Sequence, residues 1–518
     1  MKRGALIALV WTLPWLQLPS GNRASSRHLD RYAVVLVLDG ARPDYLDLTA
    51  MPNLRWLVHN GVVYDRAFVG QEIANTPPSH ATIGTGVFPR RHGIEGFWWQ
   101  NPVTHAVTRP TDNQAVQNGA LDAIMAEHHV PSIAAAIKSV DRSARIVAVS
   151  GHKCYAAEAM GTADADYILC ALIYHGRWVA QAVRGHLPPP GAIDNPHWDH
   201  PIPNPHGSEA AAVQQWSLGQ ENHWTTSYAL WAFRRVAFPR LLMINLPETD
   251  VMGHFSGARD QTMATLMRGF DSDLGRILAG YRKAGILRRT VFVVTADHGM
   301  SRIDTRLPFS ILDRAIALAG ATKVYLEADT AAAIGIREGW RAKTVALDIP
   351  RLAGQAIDGS YYRVFSMGAW RYLPAYTRSD LPAAMRSAMR SLADTDASAE
   401  GPNVLVFYAP HITTGDRVVR GYHWLAGHLG PQWDDQHIPL IVSGIGVRHG
   451  LLSHYPARLT DIAPTLERLI GVPVTPSDGV VLADSQVRPS QVEITRQRAR
   501  SRSLTPEIMA LMQRSGAR

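Results

Sequence analysis

The stretch Ala33-Val-Val-Leu-Val-Leu38, which runs into Asp39-Gly40, decides the fold class. A continuous apolar run rich in β-branched residues is typical of a strand buried on both faces of a parallel sheet. Two further runs of this kind, Leu241–Leu246 and Thr290–Thr295, are also followed by acidic residues. Segments with helical spacing separate the runs. The pattern predicts an α/β protein, a three-layer α/β/α sandwich with a mostly parallel central sheet.

The composition and length fit one large globular domain with additions. The chain has 518 residues, of which 46% are hydrophobic and 19% charged. Residues 319–421 lack the strand–helix alternation and are predicted to form an inserted cap within a catalytic domain at 30–484. Residues 485–518 are basic and polar, which predicts a solvated tail. The net charge of +8 favours anionic substrates, but part of it lies in that tail, so we expect no stable nucleic-acid complex.

The first residues indicate export. Lys2 and Arg3 precede an apolar run at 5–18, which is shorter than the roughly 18 residues of a spanning helix. We therefore expect a signal peptide at 1–26 and a periplasmic or extracellular protein. The alternative is an uncleaved N-terminal anchor, which would attach the protein to a membrane.

In a periplasmic or extracellular compartment Cys154 and Cys170 could form a disulfide, but only if their Cα atoms lie within about 7 Å. The sequence therefore leaves the pairing open.

A hydroxyl is expected at a helix N-terminus in the stretch Ile73-Ala-Asn-Thr-Pro-Pro-Ser-His80. Proline is favoured in the first turn of a helix, where its missing N–H would be unpaired anyway, so Pro77 and Pro78 predict a helix that begins near Thr76. Free N–H groups and the helix dipole favour anions at that point. The Thr76 hydroxyl could therefore meet a phosphoryl group, although an ordinary N-cap role would explain the same residue.

Three carboxylates are predicted at one edge of the sheet. Asp39, Asp250 and Asp297 each follow a buried strand, and the carboxyl ends of parallel strands share an edge. Three such groups would repel one another without a cation among them.

Histidines accompany these carboxylates. His254 follows Asp250 by four residues, His298 follows Asp297 directly, and His428 lies between glycines before the last predicted strand. Zinc takes Asp and His ligands, and a two-metal site stabilises both the attacking and the leaving oxygen of displacement at phosphorus. Each residue alone could belong to a cap, a turn or a surface loop. Their joint occurrence predicts a two-metal site beside a threonine nucleophile, whose hydroxyl needs a metal or a base for activation.

The order of these motifs resembles the nucleotide pyrophosphatase/phosphodiesterase family of the alkaline phosphatase superfamily. The resemblance runs from about residue 32 to 482 and rests on five motifs: Leu38-Asp-Gly40, Thr76-Pro-Pro-Ser-His80, Asp250-x-x-Gly-His254, Asp297-His-Gly-Met300 and Gly427-His428. It implies an alkaline-phosphatase-like fold, two zinc ions and a threonine that is transiently phosphorylated.

The resemblance also implies a division of the ligands. One zinc would be held by Asp250, His254 and His428. The other would be held by Asp39, Asp297 and His298, with Thr76 bridging towards phosphate.

The nucleophile motif departs from the family's usual Lys-Thr-Phe-Pro-Asn-His. Ser79 stands where the family's asparagine grips a phosphoryl oxygen, and serine offers a hydrogen bond of shorter reach. The departure bears on substrate preference more than on metal binding. Sulfatases of the superfamily need a modifiable cysteine where this chain has Thr76, which argues against a sulfatase.

Two residues are further candidates for substrate binding. Trp98, within Phe97-Trp98-Trp99, could stack on a nucleobase or simply pack, and Lys153 could contact phosphate or be a solvated loop residue.

The favoured function is a zinc-dependent phosphodiesterase or nucleotide pyrophosphatase that acts on a small phosphate ester or nucleotide. The alternative is an alkaline phosphomonoesterase with the same site. A non-catalytic member that only binds metal or phosphate is disfavoured because no expected ligand or nucleophile is missing.

Overall fold

The computed structural model describes residues 30–174, 177–189, 191–193, 220–259, 262–415, 418–419 and 422–516. The predicted signal peptide at 1–26 lies outside the described residues. A nine-stranded and a five-stranded sheet organise the described part of the chain. Their strands are β1 (Tyr32–Leu38), β2 (Gly61–Tyr64), β3 (Ile146–Val149), β4 (Tyr167–Tyr174), β5 (Arg177–Arg184), β6 (Leu241–Leu246), β7 (Thr290–Thr295), β8 (Lys323–Ala328), β9 (Ala331–Ile336), β10 (Ile357–Ser366), β11 (Ala369–Thr377), β12 (Val404–Tyr408), β13 (Leu440–Gly444) and β14 (Leu451–Ser453).

The central sheet has the order β14-β2-β13-β7-β1-β6-β3-β4-β5. Its middle is parallel: β1 pairs with β6 and β7, and β3 pairs with β6 and β4. All seven residues of β1 are buried, which requires cover on both faces of the sheet. The principal helices around it are Pro52–His59, Thr76–Thr85, Ala120–Glu127, Ile133–Val140, Cys154–Gly161, Gln220–Arg235, Glu248–Ser256, Thr262–Lys283 and Ile462–Ile470. The predicted α/β class with a mostly parallel central sheet is confirmed.

The second sheet lies within the segment predicted as an insertion. Its order is β8-β9-β12-β10-β11, and its strand pairs are antiparallel. Three helices pack with it or beside it: Phe309–Leu318, Ala342–Ala353 and Ala383–Ala393. Residues of β11 are mostly exposed or half-buried, as expected of an antiparallel strand with one solvated face. The inner strands β9 and β12 are buried throughout, so the solvated face belongs to the edge of this sheet.

The prediction of a solvated tail at 485–518 is wrong. Residues Gln491–Arg514 form a helix that opens with a capping box between Ser490 and Glu493. Leu504, Ile508 and Leu511 are buried in a core shared with helix Ala383–Ala393. Their spacing of four and three residues places them on one helix face. The basic composition concealed this narrow apolar stripe.

Cys154 and Cys170 form a disulfide, with their Cα atoms 5.1 Å apart. The bond joins the start of helix Cys154–Gly161 to β4. In the part of the chain that the structure describes, no helix has the length and apolar character needed to cross a membrane.

Candidate active site

Thr76 is the first residue of helix Thr76–Thr85, and its side chain lines a cleft. Asn75 is the N-cap, because its side-chain oxygen accepts a hydrogen bond from the Thr76 backbone N–H at 2.9 Å. Pro77 and Pro78 occupy the first turn, as the sequence predicts. Asn75 therefore caps the helix, and the Thr76 hydroxyl is available for another role.

The parallel strands bring the three carboxylates to one edge. Asp39 follows β1, Asp297 follows β7 by two residues, and Asp250 lies in helix Glu248–Ser256 after β6. Gly40 has φ +68°, and a Cβ at this position would lie 2.8 Å from the Asp250 Cα. Its backbone N–H donates to Asp297 Oδ1 at 3.0 Å. A glycine is needed here because any side chain would push Asp250 away from the other two carboxylates.

Backbone carbonyls fix the orientation of the three predicted histidines. Each donates from Nδ1 at 2.9 Å: His254 to Ala426, His298 to Gly299 and His428 to Ala74. A carbonyl oxygen can only accept, so Nδ1 carries a proton and Nε2 is the ring nitrogen left to face a metal. This is the arrangement that orients imidazole ligands around a metal.

The Nε2 atoms converge on the carboxylates in two groups. Those of His254 and His428 lie 3.2 and 3.4 Å from Asp250 Oδ1. That of His298 lies 3.4 Å from Asp297 Oδ2 and 3.6 Å from Asp39 Oδ1, against 3.9 Å from Asp250 Oδ1. The rings of His298 and His428 stack with their centroids 3.5 Å apart. The six predicted ligands thus form two adjoining His/Asp clusters.

His80 was not predicted as a ligand, although it lies within reach of Asp39 and Asp297. Its Nδ1 approaches Asp297 Oδ2 at 3.5 Å but also donates to the Thr76 carbonyl at 2.8 Å. With Nδ1 engaged in this way, its Nε2 is buried without a hydrogen-bond partner among the described residues, so His80 is a further candidate ligand beside Asp39 and Asp297. Its position four residues after Thr76 is the signal that sequence reasoning could have used.

The donor set fits a pair of cations. Asp250 Oδ1, Asp297 Oδ2 and His298 Nε2 are buried and have no hydrogen-bond partner among the described residues. Burial and the charge of Asp297 raise the pKa of Asp39 above its ordinary value. Burial and His428 lower the pKa of His298 well below its ordinary value, which keeps the ring neutral. Buried polar atoms without a partner are costly unless a metal binds them, so the two clusters are suited to a bimetallic site.

Lys153 lies in this site, on the loop that follows β3. Its Nζ donates to Asp39 Oδ1 at 2.8 Å, Asp250 Oδ2 at 2.6 Å and Thr76 Oγ1 at 3.2 Å. Burial alone would lower the pKa of Lys153, but the carboxylates of Asp250 and Asp39 raise it well above its ordinary value. A permanently charged ammonium therefore stands beside the Thr76 hydroxyl.

Aromatic side chains form the walls of the cleft, which has a volume of about 240 Å³. Trp98 lines it, held by a hydrogen bond from its Nε1 to the Leu326 carbonyl at 3.4 Å. Trp424 also lines it and stacks on the His254 ring with the centroids 3.7 Å apart. Sequence reasoning missed Trp424 because no motif surrounds it.

The structure does not bring Ser79 to the cleft. Its side chain is buried, and its hydroxyl accepts a hydrogen bond from Gln71 Nε2 at 3.3 Å. The helix begins at Thr76, so Ser79 lies nearly one turn deeper and away from the N-terminal end that faces the cleft. Asn75 lines the cleft instead, and its amide donates to the carboxylate of Glu327. Ser79 is therefore not among the residues that line the cleft, and its contact with substrate stays a prediction.

The mostly parallel sheet, with two His/Asp clusters and a threonine at its carboxyl edge, is the arrangement of the alkaline phosphatase superfamily. The chain belongs to the type I phosphodiesterase/nucleotide pyrophosphatase family, whose model matches residues 33–411.

Solved structures share the fold at low sequence identity. The alkaline phosphatase PafA is 15% identical with a TM-score of 0.66, and the match covers 88% of this chain and 98% of that one. Murine ectonucleotide pyrophosphatase/phosphodiesterase 5, solved as an inactive threonine-to-alanine variant in complex with AMP, is 16% identical with a TM-score of 0.55 and coverages of 87% and 97%. A curated relative, alkaline phosphatase PhoD from Zymomonas mobilis, is 25% identical over 260 residues, or 46% of this chain. The match spans only 43% of that relative's length.

Proposed function

We propose that this protein is an exported, two-zinc phosphodiesterase or nucleotide pyrophosphatase that uses Thr76 as its nucleophile. The observation that carries the proposal is the position of the Thr76 hydroxyl, at a helix N-terminus, 3.2 Å from Lys153 Nζ and beside the two His/Asp clusters. The disulfide between Cys154 and Cys170 supports export, because such bonds persist in oxidising compartments.

The histidine contacts support a division of the metal ligands. Asp250, His254 and His428 would hold one zinc, since both Nε2 atoms approach the same Asp250 oxygen. Asp39, Asp297 and His298 would hold the other, since His298 Nε2 lies closer to these carboxylates than to Asp250. When bound, the two ions would activate the threonine hydroxyl and neutralise charge on the reacting oxygens.

The residues of this chain would act in two displacements. In the first, Thr76 Oγ1 bonds to phosphorus as the bond from phosphorus to the leaving-group oxygen breaks, and the hydroxyl proton passes through solvent to the leaving group, which departs as an alcohol. In the second, water attacks phosphorus, the bond to Thr76 breaks, and a proton from the water restores the Thr76 hydroxyl. The Lys153 ammonium would stabilise negative charge on Thr76 Oγ1 or on a phosphoryl oxygen. The N–H groups of the first helical turn favour an anion at the same point.

A diester is the proposed substrate class. Trp98 and Trp424 give the cleft an aromatic surface suited to a second substituent, such as a nucleoside. The AMP complex of the murine relative supports a nucleotide. A phosphomonoesterase is the second candidate, favoured by the buried charge of Lys153 beside Thr76 and by the likeness to two alkaline phosphatases.

The nucleophile is tested by comparing Thr76→Ala with Thr76→Ser and with Thr85→Ala, a control at the far end of the same helix. We expect Thr76→Ala to keep close to two zinc per chain by metal analysis and to lose several orders of magnitude in turnover of a p-nitrophenyl ester. Thr76→Ser should retain much of the activity because it keeps a hydroxyl, and chelation should abolish the activity of the wild type. Wild-type turnover by Thr76→Ala would refute the nucleophile, and full activity in excess chelator would refute the metal site.

The substrate class is tested by comparing kcat/KM for p-nitrophenyl phosphate with that for the p-nitrophenyl ester of thymidine 5′-monophosphate. We expect the diester to be preferred, and the preference to fall in Trp98→Ala but not in Trp56→Ala, which removes an exposed tryptophan of helix Pro52–His59. A tenfold preference for the monoester, about 1.4 kcal/mol in transition-state binding, would favour the phosphomonoesterase instead.

A further inference from the structure

A second cavity, on the five-stranded sheet, shares none of its lining residues with the cleft beside Thr76. Its volume is about 590 Å³, within the range of small-molecule sites. Four aromatic side chains line it: Trp340, Tyr362, Phe365 and Trp370. Three cationic side chains also line it: Arg337, Lys343 and Arg363. Because no aspartate or glutamate is among its lining residues, the cavity favours an anion.

Two of the cations are available to a ligand. Arg337 and Lys343 are exposed, and neither forms an ion pair with a carboxylate among the residues that the structure describes. Glu338, the carboxylate next to Arg337, accepts hydrogen bonds from Thr322, and these bonds, with a smaller contribution from the charge of Arg337, lower its pKa. The ammonium of Lys343 lies 6.0 Å from the Tyr362 ring centroid, so charge and aromatic surface adjoin.

The third cation is fixed in place. Arg363 donates from Nη1 to the backbone carbonyls of Ser398 and Ala399 and lies over the Trp370 ring at 4.6 Å. Phe365 meets Trp370 edge-on with the ring centroids 5.2 Å apart. These contacts form a rigid aromatic wall with a positive charge beside it.

The remaining aromatic surface is exposed without cover. Trp340 is 80% exposed and Phe365 is 62% exposed. Exposed rings of this size around a concave basic surface are a feature of ligand sites. A planar ring would stack on them, and an anionic group attached to that ring would reach Arg337 and Lys343.

We propose that this cavity is a second binding site, for a phosphorylated aromatic compound of the nucleoside monophosphate type. It lies at the opposite end of β9 from the cleft: Asp329, which lines the cleft, precedes the strand, and Arg337 follows it. Trp98, which lines the cleft, and Gln100, which lines the cavity, are two residues apart, so the cavity adjoins the cleft although no residue lines both. The proposal concerns a second bound molecule and does not depend on the proposed function.

The test measures how many AMP molecules bind per chain, by equilibrium dialysis in a Thr76→Ala background that prevents turnover. We expect Arg337→Ala/Lys343→Ala to bind one AMP fewer than the background, whatever the cleft itself binds. The control Arg282→Ala/Lys283→Ala removes the same charge from an exposed helix end and should bind the full number. Trp340→Ala should lower the affinity of the cavity for AMP by tenfold or more. The same AMP stoichiometry and affinity in the background and in both cavity variants would overturn the proposal.

Further probes identify what the cavity recognises. Adenosine lacks the phosphate group and inorganic phosphate lacks the aromatic ring. Each should therefore bind the cavity at least tenfold more weakly than AMP. Phosphate binding as tight as AMP would overturn the aromatic part of the proposal. Adsorption to vesicles of phosphatidylcholine and phosphatidylglycerol that Trp340→Ala abolishes, without AMP binding, would overturn it in favour of a membrane surface. The cavity variants should unfold in urea at the same midpoint as the background, which shows that they fold.

Discussion

Glu158 is a buried carboxyl group whose protonation should control stability between about pH 4.5 and 8. It lies on helix Cys154–Gly161, and its Oε1 accepts hydrogen bonds from the backbone N–H groups of Leu121 and Asp122 at 3.0 and 3.2 Å. Its Oε2 is buried without a partner among the described residues. Burial, with a further contribution from the charge of Asp122, raises the pKa of Glu158 from 4.5 to about 8.

The direction of the pH effect follows from this raised pKa. Between pH 4.5 and 8 the folded protein binds a proton at Glu158 that the unfolded chain has lost, so the free energy of unfolding falls as the pH rises through this window. One pKa unit corresponds to 1.36 kcal/mol, so the shift from 4.5 to about 8 gives a loss of about 5 kcal/mol attributable to this residue. Glu158→Gln imitates the protonated form and keeps the acceptor for both N–H groups. Relative to wild type, the variant should be near neutral at pH 5 and more stable by about that amount at pH 9.

The assay is urea unfolding of wild type and Glu158→Gln at several pH values from 5 to 9. Glu127→Gln is the matched control, because it makes the same chemical change at an exposed position of helix Ala120–Glu127. The control should follow the wild type at every pH. If the difference between Glu158→Gln and wild type stayed constant across the range, Glu158 would already be ionised at neutral pH and the argument from burial would fail.

Two further predictions concern stability. The double change Cys154→Ser/Cys170→Ser removes a cross-link between residues 16 apart and should lower the free energy of unfolding by about 3 kcal/mol. Reductant should destabilise the wild type and not the variant. An equal response of both proteins to reductant would show that the disulfide does not stabilise the fold. Ile508→Ala should cost about 2–4 kcal/mol because Ile508 is 1% exposed, whereas Met509→Ala, at a 37% exposed neighbour, should cost less than about 0.5 kcal/mol. Equal losses in urea unfolding would contradict the docking of the C-terminal helix.

The fold class and most of the site could be predicted from short local patterns. A strand buried on both faces leaves an apolar run, as at β1, and a parallel sheet brings the residues after such runs to one edge. Asp39, Asp297 and Lys153 all follow central strands, so their meeting did not require knowledge of long-range contacts. Thr76 was predicted from the prolines after it, a local rule of helix starts.

Sequence patterns failed where the outcome depends on exact helix phase or on contacts between distant residues. Whether Ser79 faces the cleft depends on where helix Thr76–Thr85 begins, and a shift of one residue rotates a side chain by about 100°. Trp424 lies in the site stacked on His254, a contact between residues 170 positions apart in the sequence. The C-terminal helix has a narrow apolar stripe and a proline, Pro506, within it, so neither composition nor helix propensity indicated it.

The C-terminal helix has a consequence for how the protein is made. It joins separate parts of the molecule: Glu493 pairs with Arg468 beside the central sheet, Glu507 accepts hydrogen bonds from two serines of helix Ala383–Ala393, and Ser515 accepts one from the Trp433 backbone. A ribosome delivers this segment after every strand of both sheets. Until it arrives, the apolar face of helix Ala383–Ala393 stays open to solvent, and chaperones and proteases recognise such surfaces. A nascent chain that stalls before residue 491 would therefore be a substrate for quality control, even though all the proposed metal ligands have already been synthesised.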